Sequence, residues 1–306
     1  MATVRAIKHT FNSLEVSEGA GIRVRRAMPT AKLRNLTPFV MLDHFRSPAN
    51  LSGSVPDHPH RGQEIISYMI SGAVDHEDFL GNQDTIGPGD AQVMTAGRGI
   101  MHAEQPRRAD LERDPLDSII EGIQLWIDLP RTLKHAAPRY RDVRARAIPV
   151  VMLDETRVTI KVIAGESHGA RAAEDITSTP VWYLDISIKP GGRVRQIMPR
   201  GWNVLLYSLH GEVSIHGERP LGPFHVAVFE TEGDYVELYV PETAAAEARL
   251  VLLGGAPLDQ TIFQCGPFVV LDEKEAHQAM MDFRLGRNGF EKALKWESNI
   301  LKRIGY

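Results

Sequence analysis

Four side chains in this sequence have the types and the spacing to hold a metal ion. "DHPHRG", residues 57–62, carries His58 and His60 two apart, and "GRGIMHAEQP", residues 97–106, carries His102 and Glu104 at the same interval. Side chains of a β-strand alternate between two faces, so each pair points one way. If the two strands are neighbours in a barrel, all four groups meet inside it. Three neutral imidazoles and one carboxylate leave about two positions open on an octahedral ion, which suits an oxygen-handling catalytic metal better than a closed structural one. Glu64 shares the parity of His58 and His60 and is a fifth candidate. Spacing alone does not choose between Glu64 and Glu104.

A lone His-x-His is more often a surface pair or a hydrogen-bonded one. The second pair, and the glycines that mark the strands around it, argue for a metal here. "IGPGD", residues 86–90, reads as a tight turn ahead of a strand, and Gly97 and Gly99 let the backbone bend before His102. His76, in the acidic "DHED", reads as part of a solvated turn. His210, in "SLHGEVSIHG", has no His-x-His partner, so no second metal site is expected in the C-terminal half.

The elements that must position these residues are short strands. "GIRVRRAM", "PFVMLDHF", "EIISYMIS", "DAQVMTA" and "GIQLWIDL" are bounded by Gly, Pro, Asn and Asp, and the second half continues with "VTIKVIAG", "VWYLDISI", "NVLLYSLHGEVSIHG", "FHVAVFE" and "YVELYV". Between the halves, "LPRTLKHAAPRYRDVRARAIP" reads as a solvated, basic linker. "PFVMLD" at 38–43 returns as "PFVVLD" at 267–272, which is expected from duplication of a β-barrel unit. Near the end, Asp272 and Glu275 form a capping pattern. Ala276, Ala279, Met280 and Phe283 then follow at helical spacing up to Gly286. Phe290, Ala293, Leu294 and Leu301 suggest a second helix, both helices packing on a barrel.

Composition excludes several functions. The chain has 306 residues, 43% apolar and 24% charged, with a net charge of −4, so nothing draws it to nucleic acid or anionic lipid. No apolar run reaches the roughly 18–20 residues that span a bilayer. The opening residues lack a leader's apolar core, and Cys265 is the only cysteine, which excludes an intramolecular disulfide; a cytoplasmic location is expected. There is no nucleotide-binding glycine loop and no recognisable Ser-His-Asp set.

"PFVMLDHF", "DHPHRGQEIISYMISG", "GNQDTIGPGDAQVMTAGRGIMHAEQP", "GIQLWIDLP" and "CGPFVVLD" resemble, in order and spacing, the pirin family of bicupins over nearly the whole chain. The resemblance implies an all-β chain of two stacked cupin barrels (double-stranded β-helix, or jelly-roll, type) with short C-terminal helices. The expected division is an N-terminal metal-binding cupin domain at 1–135, a linker at 136–147, and a C-terminal cupin domain at 148–306 with no metal. The resemblance also implies one divalent transition metal, Fe(II) first, with Ni, Cu, Mn, Co or Zn as alternatives. Its ligands would be His58, His60, His102 and Glu104, which selects Glu104 over Glu64. Glu64, Arg61, Arg98 and Gln124 are expected around the ligands or at strand ends. Ala103 and Val93 depart from the family pattern, which commonly has Ser and Trp there, and bear on the pocket wall.

Activity of the quercetin 2,3-dioxygenase type would follow: a metal-bound flavonol opened by O2 with release of CO, and Glu104 accepting the proton of the 3-hydroxyl. The alternative is a metal-binding regulatory protein, a redox-sensing co-regulator without turnover. The expected partners are a small flavonol-like aromatic and O2, with no nucleic acid and no membrane; no segment marks a protein-binding patch.

Overall fold

The computed structural model describes residues 2–18, 22–48, 55–107, 119–173, 176–218 and 220–303. Two seven-stranded antiparallel sheets dominate it. The first runs, in spatial order, through Arg139–Val143, Ala91–Thr95, Gln63–Ser71, Ile119–Asp128, Phe39–Pro48, Ile22–Met28 and Leu14–Glu18. The second runs through Ile7–Asn12, His225–Phe229, Asn203–His210, Ala248–Gly255, Val181–Ile188, Val158–Ala164 and Val150–Leu153. A smaller sheet accompanies each: His58–His60, Ile100–Pro106, Val74–Asp78 and Gln83–Ile86 with the first, and Arg193–Ile197, Tyr235–Tyr239 and Ser214–Ile215 with the second. The chain is therefore all-β with two cupin barrels, as its strand rhythm predicts. Central strands such as Gln63–Ser71 and Ala248–Gly255 are buried almost throughout, because both of their faces are covered.

The chain divides into two compact units, each discontinuous in sequence. One comprises Arg146–Pro257 with the residues up to Leu14 and Ala31–Thr37; the other comprises Glu15–Thr30, Pro38–Ala145 and the chain from Leu258 on. Three expectations change here. The stretch expected as linker, 136–147, contains the strand Arg139–Val143, which pairs with Ala91–Thr95 as the edge of the first sheet. Arginines alternating with Tyr140 and Asp142 look like a solvated segment in composition, yet that alternation is what an edge strand with one wet face requires. The C-terminal helices belong with the barrel that carries the histidine pairs and not with the second one. The echo "PFVVLD" does not mark the equivalent barrel strand either. Phe268–Val270 forms a two-stranded sheet with Phe263–Cys265 and meets Arg61 by a single bridge, whereas Phe39–Pro48 lies deep in the first sheet.

Helix α1 (Glu273–Leu285) begins where the sequence places it. The Asp272 carboxylate accepts from Glu275 N–H at 2.8 Å, Glu275 reaches back to Leu271 N–H at 2.9 Å, and Gly286 ends the helix at φ 62°. Its Ala279 joins a buried cluster with Ile65, Met94, Trp126, Phe268 and Phe290. The second expected helix is reduced to a single turn at Ala293–Lys295 and a short α2 (Asn299–Arg303), with Phe290 and Ala293 buried and Leu294 exposed. Among the described residues no helix is long and apolar enough to cross a membrane.

Candidate metal centre

The strand bearing His58 and His60 pairs antiparallel with the strand bearing His102, His58 opposite His102 and Ile100 opposite His60. The imidazole nitrogens of His58, His60 and His102 come within 4.8 Å of one another. His58 Nε2 and His102 Nε2 are 2.9 Å apart. Two nitrogens each about 2.1 Å from one octahedral ion, at right angles, are separated by about 3.0 Å, so this spacing fits two adjacent ligands. Burial lowers the pKa of all three rings, and their mutual repulsion lowers His60 and His102 further; Glu104 opposes the shift at His58. All three are thereby held neutral, the form that binds metal.

Each ring is oriented through its other nitrogen. His58 Nδ1 lies 2.9 Å from the Pro56 carbonyl. His60 Nδ1 lies 3.3 Å from the Pro267 carbonyl and 2.9 Å from the Gln63 side-chain amide. His102 Nδ1 lies 3.0 Å from the Tyr140 hydroxyl. The Trp126 ring packs edge-on against His60, centroids 4.9 Å apart.

Glu104 shares a strand face with His102. One carboxylate oxygen accepts from Ser67 Oγ at 3.0 Å and the other from Gln124 Nε2 at 2.9 Å. Two donors fix the carboxylate plane, and an ionised carboxylate keeps lone pairs for a metal or a proton. Gln124, expected around the ligands or at a strand end, meets the Glu104 carboxylate.

Glu64 faces the other way. Gly62 adopts φ +85°, and a Cβ there would lie 2.0 Å from the Val269 carbonyl oxygen, so only glycine fits. That residue interrupts the strand between His60 and Gln63 and resets the alternation. Gln63, Ile65 and Ser67 face the site, and Glu64 turns to the opposite face, where Thr95 Oγ1 donates to it at 2.7 Å. Val93 pairs with Ile66 on that same far face, and Ala103 lies between His102 and Glu104, so neither departure from the family pattern touches the ligands.

Arg61 and Arg98 also serve elsewhere. Arg61 is buried, donating to Asp282 at 2.9 Å and to the carbonyls of Arg98 and Asn288 at 2.6 Å each, its guanidinium 4.8 Å from the Phe290 ring centre. Both arginines line a cavity of about 590 Å³ that none of the three histidines borders. Its buried cations are already matched, Arg61 by Asp282 and Lys134 by Asp128.

Sequence reasoning missed Gln63, Ser67, Tyr140 and Trp126, and it misplaced His76. His76 is buried on Val74–Asp78, directly opposite Glu104, with its ring parallel to Tyr140 (5.7 Å, 2°). The alternation of "RYRDV" was the one signal that could have pointed to Tyr140.

The chain is similar to known proteins along most of its length. The Pirin family profile covers residues 21–127, and the pirin C-terminal cupin profile covers 183–289. The chain is 40% identical to the pirin of Mus musculus and 39% identical to that of Homo sapiens, each over 98% of this chain and 99% of the relative. A solved structure titled quercetin 2,3-dioxygenase, from Acinetobacter baumannii, superposes with a TM-score of 0.82 at 29% identity, covering 92% of this chain and 98% of that one.

Proposed function

This chain belongs to the pirin family of bicupins, and from that premise we propose that it is a metal-dependent dioxygenase that opens a flavonol-type heterocycle with O2 and releases carbon monoxide. The observation that carries the reading is the convergence of three neutral imidazoles; Glu104 lies outside that 4.8 Å cluster, on the strand of His102, with its two oxygens already oriented. The likeness to the Acinetobacter quercetin 2,3-dioxygenase supports the substrate class. His58, His60 and His102, with Glu104, would hold one divalent transition metal, Fe(II) in this reading. Such an ion supplies open coordination positions and acidifies a hydroxyl bound to it.

The protein's own groups do the rest. Glu104 accepts the proton of the substrate's 3-hydroxyl, while Ser67 and Gln124 keep its carboxylate in the plane that meets that proton. Trp126, in the cluster with Met41, Ile65, Met94 and Ile100, gives the histidines an apolar, dry backing that strengthens their hold on an ion. The reaction belongs in the cytoplasm, consistent with a single unpaired cysteine.

The test is O2 and quercetin consumption by Fe(II)-loaded protein. Wild type is expected to consume both with stoichiometric CO, and His60→Ala to consume neither. A metal-loaded wild type no more active than His60→Ala would overturn the enzyme and leave the regulatory reading.

A further inference from the structure

The three ring nitrogens that face away from the centre meet an oxygen each, and His60 meets the Gln63 amide nitrogen as well; these partners differ in kind. The Pro56 carbonyl on His58 can only accept a hydrogen bond, whereas His60 Nδ1 meets both an acceptor, the Pro267 carbonyl at 3.3 Å, and a donor, the Gln63 amide nitrogen at 2.9 Å. An acceptor keeps the proton on Nδ1 and leaves Nε2 bare. The partner of His102 is the Tyr140 hydroxyl, at 3.0 Å, which can give or take. If the hydroxyl donates, the proton of neutral His102 sits on Nε2, between the rings, and His102 is no ligand. If it accepts, Nε2 is bare and all three rings face one point.

We propose that Tyr140 is a positioning residue for the metal centre: by accepting the Nδ1 proton it selects the ligand tautomer of His102, whose outer nitrogen meets a hydroxyl that can either give or take. The inference rests on the metal reading of the three histidines. Tyr140 is well placed for the task. It is carried by the edge strand Arg139–Val143, paired to Ala91–Thr95 with Tyr140 opposite Met94. Its ring lies against the buried His76 ring at an interplanar angle of 2°, which restrains the ring plane and so the line along which the hydroxyl meets His102. His76 in turn lies 3.5 Å from Asp142, two residues along the same strand, and Gln92 donates to that carboxylate at 3.3 Å. The stretch that reads in sequence as a linker therefore delivers the group that sets a ligand's donor state.

The test uses the full chain with Co(II) and Zn(II) as probes. Tyr140→Phe keeps the ring and its stacking and deletes only the hydroxyl. It is expected to bind Co(II) about 10- to 100-fold more weakly than wild type in a competition titration, the scale on which such supporting bonds act, with an unchanged melting temperature. A residue that only packs would shift the melting temperature and leave the affinity alone, and an unchanged affinity overturns the proposal. A second readout needs no variant: long-range 15N–1H correlation on Zn(II)-loaded wild type is expected to show the His102 proton on Nδ1. Ligation through Nδ1, or a proton on Nε2, overturns the proposal even if Tyr140→Phe does not fold. Failure of wild type to bind Co(II) at all would overturn the metal reading itself and the inference with it; affinity lost only in the variant separates the two.

Discussion

The two barrels of this chain share a strand order and differ in what they put inside it. Each has a Leu-Asp at the same place in its large sheet, Leu42-Asp43 and Leu184-Asp185, and counting across the sheet from there compares the barrels row by row. In the first barrel the row runs Arg26, Asp43, Gln124, Ser67, Gln92, Asp142. In the second it runs Lys161, Asp185, Val251, Tyr207, Val226, Phe11. In the small sheets, His58 and His60 are matched by buried Val194 and Gln196, and His102, opposite His58, is matched by buried Leu238, opposite Val194. The lesson is that the cupin frame asks only for strands of the right length and parity. The chemistry is set by a handful of inward positions and can change without changing the frame.

The largest test of this contrast is the ligand set. His60→Ala is expected to bring the metal content of purified protein from near one equivalent to near zero by elemental analysis. Leu238→Ala, at the position of the second barrel that matches His102, is expected to leave it unchanged while costing about 2–5 kcal/mol of stability through the cavity it opens.

Next in size is the ion pair at the base of the first barrel. Lys134 donates to Asp128 at 2.5 Å and also to the carbonyls of Gly62 and Val269, so it ties the break after His60 to the chain that supplies Pro267. Burial pushes the Lys134 ammonium down and the Asp128 carboxyl up, opposed at each by the partner's charge. Lys134→Met takes the ammonium from beside the buried carboxylate and is expected to cost about 3–5 kcal/mol in urea denaturation. A cost below that of Leu238→Ala would mean that the two barrels do not differ in what holds them.

A smaller effect separates the polar row from its apolar counterpart by pH. Burial raises the Asp43 carboxyl from 3.8 to about 6, against the pull of Arg26. Between those values the native state keeps a proton that the unfolded chain has released, so this group's contribution to stability is present at low pH and is lost as pH rises from about 4 to 6. Denaturation across that window should show the fall in wild type and not in Asp43→Asn.

The smallest expected effect is at Glu64. Glu64→Gln should leave metal affinity within about twofold, since its side chain is on the far side of the strand, whereas Glu104→Gln should lower it about 10- to 100-fold. Equal losses in the two variants would restore Glu64 to the site.

Most of the frame was legible because its signals are local. Strand rhythm, turn residues and the Asp272–Glu275 capping box each act over a few residues, and each reappears in the structure. Legibility failed where a single residue or a distant partner decides. One glycine at φ +85° shifts the parity of everything after it, so Glu64, matched in sequence to His60, ends on the wrong face. His76, read as solvated from its acidic neighbours, is buried because Ile100–Pro106 and Tyr140 cover it.

By itself the sequence determined the histidine pairs, their common faces and the kind of chain that could bring them together, because alternation along a strand is a property of the backbone. Only the tertiary structure decided that Glu64 turns to the far face, that Pro56, Pro267 and Tyr140 hold the rings, and that a segment resembling a linker completes the large sheet of the barrel that carries the histidines. Those choices rest on contacts between residues far apart in the chain: Pro267 is 207 positions from His60 and Tyr140 is 38 from His102. Their formation depends on how the strands and the C-terminal segment pack, and no short-range pattern encodes that.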